Sequence, residues 1–174
     1  MTYPHFNRIT KFGDWQKLLD DPLLINRGIA GDNSFGVMAR LKEIEVRQPR
    51  KLFIEIGIND FASNLPLGHT IKNILSIVSR VQSKSLKTTI YVLNILSTND
   101  NVRINYPIAI NKAKQIDFIS LHLAWAASGN NFTYIGLGEL LSIPKGVYIK
   151  KIPEVKLQSL FGITLKGYWK LRML

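Results

Sequence analysis

Residues Lys51 to Asp60 read KLFIEIGIND, and this stretch is the strongest indication of the fold. Its first six positions are mostly apolar, and such a run is typical of a parallel strand that is buried on both faces. Glu55 interrupts the run, and an acid at a buried position needs a partner or a raised pKa. Gly57 and Asn59 follow where the strand should end. We therefore predict a central strand over Lys51 to Ile56 with polar groups at its carboxyl end.

Short apolar runs on either side of this stretch alternate with segments of helical period. The other predicted strands are Leu23 to Ile29, Thr88 to Leu93 and Phe132 to Ile135. The predicted helical faces are Val37, Leu41 and Ile44; Ile71, Ile74, Leu75, Val78 and Val81; Ile108, Ile116, Ile119 and Leu123; and a short helix after Gly167. Asp32 is the predicted N-cap of the first helix, and Pro49 is predicted to close it. The alternation predicts a doubly wound, mainly parallel sheet whose crevice lies at the carboxyl ends of the strands.

Length and composition indicate one domain over residues 1–174. The chain is 46% hydrophobic and 20% charged, which is enough to bury a core without disulfides, and it shows no internal repeat or linker. Charged or amide residues interrupt every apolar run, so no membrane span is expected. The first residues lack the pattern of a signal peptide, and the compartment stays open. The absence of cysteine excludes thiol catalysis and cysteine-ligated metal.

Basic residues outnumber acidic ones by 23 to 12, giving a formal charge of +11. The excess is concentrated between Lys145 and Leu174, where seven basic residues accompany the single acid Glu154. A solvated basic face explains this better than nucleic-acid binding, because no recognition motif or interleaved aromatic series accompanies the charge. An acidic partner docking on this C-terminal segment, through Lys150, Lys151 and Lys156, is an open alternative.

A second segment, Asn26 to Asp32, reads NRGIAGD and precedes the central strand by about one strand-and-helix unit. With Gly57 to Asp60 it resembles the oxyanion-hole blocks of the SGNH (GDSL-type) hydrolases. The resemblance makes Gly31 the backbone donor and Asn59 the side-chain donor to the oxyanion. It also implies a three-layer α/β/α, flavodoxin-like fold and neither cofactor nor metal. Each motif is weak alone, but their order and spacing on a predicted parallel sheet support the resemblance.

The catalytic positions of that family hold other residues in this chain. Phe6 to Thr10 aligns with the family's Gly-Asn-Ser-Ile-Thr, which puts Arg8 where the nucleophilic serine belongs. Counting back from the Gly-Tyr pair near the end puts Ser159 at the family's aspartate and Gly162 at its histidine. No histidine follows His122 in the sequence. Because an arginine cannot form an acyl-enzyme, the resemblance implies the fold and oxyanion hole of an ester hydrolase without its Ser-Asp-His triad.

Other hydroxyl and imidazole groups are predicted to be structural. Thr10 matches the family's non-catalytic threonine, and Ser34 lies at a predicted helix start, where capping is the commoner role. His5, His69 and His122 are scattered along the sequence, with His122 on the third predicted helix. None of these residues supplies a replacement triad.

A guanidinium at Arg8, beside Gly31 and Asn59, would form a positively charged pocket of donors for a carboxylate, sulfate or phosphate. The alternative is an internal ion pair between Arg8 and one of three carboxylates in neighbouring blocks, Asp14, Asp32 and Asp60. The sequence thus leaves three hypotheses: an impaired ester-hydrolase scaffold that binds a small ester or anion, an active esterase on acyl or acetyl esters whose nucleophile the alignment misplaces, and a basic docking protein.

Overall fold

A computed structural model describes residues 2–3, 16–17, 20–95 and 113–136 of the chain. Its strands form one parallel sheet in the order β1, β2, β3, β4. The strands are β1 (Thr2–Tyr3), β2 (Lys51–Ile54), β3 (Thr89–Leu93) and β4 (Thr133–Ile135). The register pairs Leu52 with Ile90 and Val92 with Tyr134. The predicted parallel sheet and the last three predicted strands are confirmed, each with slightly shorter bounds.

The helices of the described residues follow the strands in the alternating order that the sequence predicts. They are α1 (Ser34–Ala39), α2 (Lys42–Arg47), α3 (Ile58–Ala62), α4 (Leu67–Lys84) and α5 (Ala113–Ala127). The long helix α4 packs against α1, α2 and α5. Among the described residues, no helix has the length and apolar character needed to cross a membrane.

The core lies between the sheet and the α4–α5 layer. Alternate side chains of β2 and β3 point into it and meet the inner faces of the helices, because successive strand residues face opposite sides. The buried residues of this cluster include Leu52, Ile54, Ile90, Val92, Ile74, Ile77, Val81, Ile116, Ile119 and Leu123. On the opposite face Phe53 stacks on Tyr91, with ring centroids 4.7 Å apart, and Phe53 and Glu55 are buried. Both faces of β2 are covered, as expected of a central strand in a three-layer α/β/α fold.

The predicted strand at Leu23 to Ile29 is wrong. Only Leu24 forms an isolated bridge, while Leu23 and Ile29 are exposed. Polar side chains bend the chain at both ends of the segment. The Asp21 carboxylate accepts from the Leu23 N–H at 2.9 Å, and the Asn26 side chain accepts from the Gly28 N–H at 2.9 Å. Such local side-chain hydrogen bonds compete with strand pairing, so the segment is a loop.

The predicted N-cap at Asp32 is also wrong by one residue. The Asn33 side chain accepts a hydrogen bond from the Gly36 N–H at 3.0 Å and caps α1. Asp32 instead forms an ion pair with Arg40. The predicted first helix is divided into α1 and α2, yet its apolar face persists because Val37, Leu41 and Ile44 are all buried. The predicted helix after Gly167, and Ile108 of the third predicted helical face, lie outside the described residues.

Candidate functional site

The two segments that carry the predicted donors meet at the carboxyl end of β2. Asn59 lies in the first turn of α3, and its Nδ2 donates to the backbone carbonyl of Asp32 at 2.6 Å. The Gly-x-Asn-Asp turn is therefore joined directly to the glycine-containing loop. The predicted proximity of Gly31 and Asn59 rests on this bond, which connects residues 27 positions apart in the chain.

Gly57 makes the sharp passage from β2 into α3. Its φ is +132°, a backbone conformation that residues with a side chain rarely adopt. A Cβ at this position would lie 2.5 Å from Cδ1 of Ile95 and 3.3 Å from Cγ2 of Thr70. The tight turn and the crowded neighbours both require glycine, and together they fix the direction in which Asn59 leaves the sheet.

Gly31 occupies an exposed turn. The Asp32 N–H donates to the Ile29 carbonyl at 3.2 Å and closes the turn, and Gly31 has a φ of +78°. A glycine is favoured at the third position of a turn that needs positive φ. Within the described part of the chain the Gly31 N–H has no acceptor, so it can serve as a donor to a ligand.

Arg40 holds both ends of this loop, which we call the Gly31 loop (residues 26–32). Its Nη1 donates to the Arg27 carbonyl at 2.8 Å, and its Nη2 forms an ion pair with the Asp32 carboxylate. Arg27 forms a second ion pair, with Glu43 of α2. Guanidinium groups suit this role because their donors have a fixed planar arrangement. The loop is thus fastened to α1 and α2 through charged side chains.

Asp60, the residue after Asn59, is completely buried and anchors a polar network. The hydroxyl of Ser34 donates to the Asp60 carboxylate, which also accepts from the Ser34 N–H at 3.0 Å. Nδ2 of Asn73, on α4, donates to the Ser34 hydroxyl at 2.8 Å. Burial raises the pKa of Asp60, and the charge of Asp32 adds to this effect, while the hydrogen bonds from Ser34 oppose it.

This network corrects the capping role predicted for Ser34. Asn33 is the cap, and Ser34 connects the start of α1 to α3 and α4. Asn73 was not identified from the sequence. In the sequence, Asn73 is an amide residue next to the apolar face of a predicted helix. That position does not indicate which residue it binds.

The other predicted site residues fall into two groups. Arg8, Ser159 and Gly162 lie outside the described residues, as do His5, Thr10 and Asp14. His69 and His122 are described and exposed, His69 near the start of α4 and His122 on α5. The Nδ1 of His122 lies 2.8 Å from the Phe118 carbonyl, and the His122 ring contacts the Phe118 ring. Neither histidine contacts Asn59 or the Gly31 loop among the described residues.

The two hypotheses for Arg8 stay predictions, because Arg8 and Asp14 lie outside the described residues. Of the three carboxylates that could pair with it, Asp32 already forms an ion pair with Arg40, and Asp60 is buried against Ser34. The described residues contain no group of three histidine or carboxylate side chains that could hold a metal. An amide Nδ2 has two N–H groups, so Asn59 has one beyond its bond to the Asp32 carbonyl; the convergence of this group and the Gly31 N–H on one oxygen stays a prediction.

Comparison with known proteins identifies the family of the chain. The GDSL-like lipase/acylhydrolase family matches residues 8–149, and the match ends before Ser159 and Gly162. The chain belongs to the GDSL-like lipase/acylhydrolase family. No curated protein sequence matches it significantly.

Solved structures of other proteins share the fold. A GDSL-like lipase from Bacteroides thetaiotaomicron has a TM-score of 0.71 at 18% identity, over 92% of this chain and 85% of that one. The acetyl xylan esterase AlAXEase has a TM-score of 0.66 at 16% identity, over 80% and 78%. A variant of the acetyl-xylooligosaccharide esterase Axe2 from Geobacillus has a TM-score of 0.59 at 16% identity, over 83% and 80%. At these identities the likeness concerns the fold alone.

Proposed function

We propose that this chain uses the Gly31–Asn59 crevice to bind a small carboxylate or ester and hydrolyses it slowly or not at all. The observation that carries the proposal is the hydrogen bond from Asn59 Nδ2 to the Asp32 carbonyl. It holds the side-chain donor against the loop that presents the Gly31 N–H, so both can address one oxygen atom. Preorganised donors of this kind bind anionic oxygen without further cost of ordering.

The residues at the family's catalytic positions support binding without turnover. Arg8 replaces a nucleophile with a cation, and Ser159 and Gly162 offer neither an orienting acid nor a base. Loss of all triad functions with the oxyanion hole kept typically costs about six orders of magnitude in turnover. A positive charge beside the two donors strengthens the binding of a carboxylate. Asp32 and Asp60 have other partners within the described residues, whereas Arg8 and its third candidate partner, Asp14, lie outside them, so Arg8→Ala distinguishes ligand binding from an internal ion pair.

The ligand class follows from the size and chemistry of this donor pair. Two of the structurally similar proteins are named as acetyl esterases, so acetate and butyrate are suitable probes of an acyl-carboxylate site. Titration calorimetry should show binding that Asn59→Asp abolishes, because a carboxylate replaces the amide donor. Asn64→Asp is the matched control: it makes the same charge change at an exposed residue with a φ of +53°, which aspartate tolerates.

Arg8→Ala separates the two hypotheses for the arginine. If Arg8 faces the crevice, the alanine variant should bind acetate about tenfold more weakly, as expected for one charge-assisted hydrogen bond. Unchanged acetate binding in Arg8→Ala, with loss in Asn59→Asp, would place the arginine in an internal ion pair. No binding in the parent protein would contradict the proposed function.

Ester turnover tests the catalytic half of the proposal. The parent protein should hydrolyse p-nitrophenyl acetate no faster than heat-denatured protein and should not react with a fluorophosphonate. A triple variant, Arg8→Ser with Ser159→Asp and Gly162→His, should acquire fluorophosphonate labelling if these are the family's catalytic positions. Labelling of the parent protein would instead identify an active esterase whose nucleophile lies elsewhere.

A further inference from the structure

Helix α5 is apolar on both of its faces. Ile116, Ile119 and Leu123 are buried against the sheet. On the opposite side Leu121 and Trp125 are 71% and 80% exposed. A helix that is hydrophobic all round is usually covered on all sides, so the outer face of α5 needs an explanation that the core does not give.

The exposed residues form a continuous stripe along the helix. Lys114, Phe118, Leu121 and Trp125 follow one another at intervals of three or four positions, which places them on one face. We call these four residues the α5 stripe. It begins with a cation and ends with an exposed tryptophan. An exposed apolar patch rimmed by polar residues marks a protein or membrane interaction site, and tryptophan is enriched where proteins meet the membrane–water interface.

The exposed charge of the described residues is mostly positive. Within the described ranges nine basic residues are exposed: Lys17, Lys42, Arg47, Arg50, Lys72, Arg80, Lys84, Lys87 and Lys114. Asp32, Glu43 and Glu45 form ion pairs, in which Lys42, Arg47 and Arg80 of these nine take part, and Glu55 and Asp60 are buried. Asp21 and Asp117 are partly exposed. Asp20 is the single fully exposed acid of these ranges. Exposed cations therefore outnumber exposed acids among the described residues.

Part of this positive charge lies directly beside α5. Helix α4 packs against α5, and Gln82 of α4 donates to the carbonyls of Asn130 and Asn131 at 2.5 and 2.9 Å, just after α5 ends. A shallow surface depression is lined by Lys72 and Arg80 of α4 together with Asn130. The cationic side of α4 and the end of α5 thus belong to one surface.

The sequence beyond the described residues adds to this charge. The described chain ends at Gly136, just after β4, and β4 packs against α5. The residues that follow contain the seven basic side chains between Lys145 and Arg172 and only one acid among them. This excess in the sequence adds to the net positive charge that attracts the protein as a whole to an anionic surface.

We infer that the α5 stripe docks on an anionic lipid surface. Leu121 and Trp125 would enter the boundary between headgroups and acyl chains, while the lysines and arginines around them contact lipid phosphates. A polyanion such as a nucleic acid would use the cations but not the leucine. A second copy of the chain would bring two strongly positive surfaces together, and like charges oppose such a contact.

Vesicle sedimentation tests the apolar part of this inference. The full-length protein should bind phosphatidylcholine vesicles that contain phosphatidylserine at least tenfold more tightly than vesicles of phosphatidylcholine alone. Leu121→Ser should weaken that binding about tenfold, the effect expected of one buried leucine side chain. Leu86→Ser is the matched control, since Leu86 is 85% exposed in the turn after α4, outside the stripe, and it should change binding less than twofold.

Fluorescence of Trp125 then identifies what covers the stripe. In a protein with Trp15→Phe and Trp169→Phe, Trp125 emission should lie at long wavelength in buffer and shift to shorter wavelength with anionic vesicles. Short-wavelength emission in buffer, from a monomer by light scattering, would mean that the chain itself covers the stripe and would overturn the inference. Dimers that Leu121→Ser dissociates would overturn it in favour of a second copy. Vesicle binding that salt abolishes but Leu121→Ser leaves unchanged would overturn it in favour of a purely electrostatic surface.

Discussion

The Gly31 loop and the Asn59 turn each carry one donor, but they are held in place by different kinds of contact. Charged, partly solvated side chains fasten the Gly31 loop, with Arg40 bridging Asp32 and the Arg27 carbonyl. The Asn59 turn is fixed from within, through Asp60 buried against Ser34. We therefore expect the stability of the Gly31 loop to depend on salt, and the stability of the Asn59 turn to depend on the protonation of Asp60.

Removing the buried acid should produce the largest effect. Asp60→Ala leaves the Ser34 N–H and hydroxyl without an acceptor and should lower the free energy of unfolding by about 3 kcal/mol. Urea denaturation measures the change. Asp20→Ala removes an exposed carboxylate and should change the same quantity by less than about 0.5 kcal/mol. If the two substitutions lower the free energy of unfolding equally, Asp60 stabilises the fold no more than an exposed carboxylate does.

A side chain at Gly57 should disturb the Asn59 turn nearly as much. Gly57→Ala forces an unfavourable φ and places Cβ 2.5 Å from Ile95 Cδ1, at a cost of about 2 kcal/mol. Acetate binding should be lost as well, because Asn59 leaves the sheet through this residue. Gly129→Ala is the control, since a Cβ there meets nothing within 4 Å. An unperturbed urea midpoint in Gly57→Ala would mean that the turn relaxes freely.

Loosening the Gly31 loop should cost less. Arg40→Gln removes the ion pair with Asp32 and should lower the free energy of unfolding by about 1 kcal/mol, because much of the pairing energy is offset by solvation. The loss should shrink at high salt, which screens the pair in the parent protein. Amide hydrogen exchange should report faster opening of residues 26–32. Arg50→Gln, at an exposed residue, should leave exchange there unchanged, and salt-independent loss in Arg40→Gln would argue against an ionic clamp.

The pH dependence of stability should show the smallest effect and the clearest sign. Burial raises the pKa of Asp60, so the folded protein binds a proton more tightly than the unfolded chain does. The resulting stabilisation is complete below the ordinary aspartate pKa, about 3.9, and is lost as pH rises through the raised value.

The comparison of the parent protein with Asp60→Asn isolates this group. The stability of the parent relative to Asp60→Asn should fall as pH rises across that window. Glu45 acts in the opposite direction, since its hydrogen bond with Arg80 lowers its pKa, but it is present in both proteins and cancels. A difference that rises with pH would show that Asp60 is stabilised as a carboxylate.

The sequence predicted the regular elements where pattern and burial agree. The β2 segment is a nearly continuous apolar run, and the α4 segment has a strong helical period. The structure confirms both elements. The segment from Leu23 to Ile29 misled the prediction because its apolar residues belong to a surface loop, with Leu23 60% exposed. Its polar side chains, which bond to nearby backbone, were the better indicator.

The donor residues of the site were predictable from short motifs, and their supports were not. Gly31 and Asn59 follow from the resemblance to the oxyanion-hole blocks, and their motifs are local. The partners that hold them are distant in sequence: Asn73 reaches Ser34 across 39 positions. A single sequence does not indicate such pairs, because many polar residues could occupy the same helix face. The single domain, the donor roles of Gly31 and Asn59 and the roles of Arg8, Ser159 and Gly162 stay predictions.

From the sequence followed the alternating fold, through its hydrophobic period, and the family, through the resemblance of two short glycine-containing segments; both signals are encoded locally. Only the tertiary structure decided how the donors are held, and that a helix predicted from its inner face also carries an apolar outer one. The hydrophobic period of a sequence indicates which residues can face a core. Whether a residue then meets the sheet, a buried carboxylate or solvent depends on elements that only the folded chain brings together.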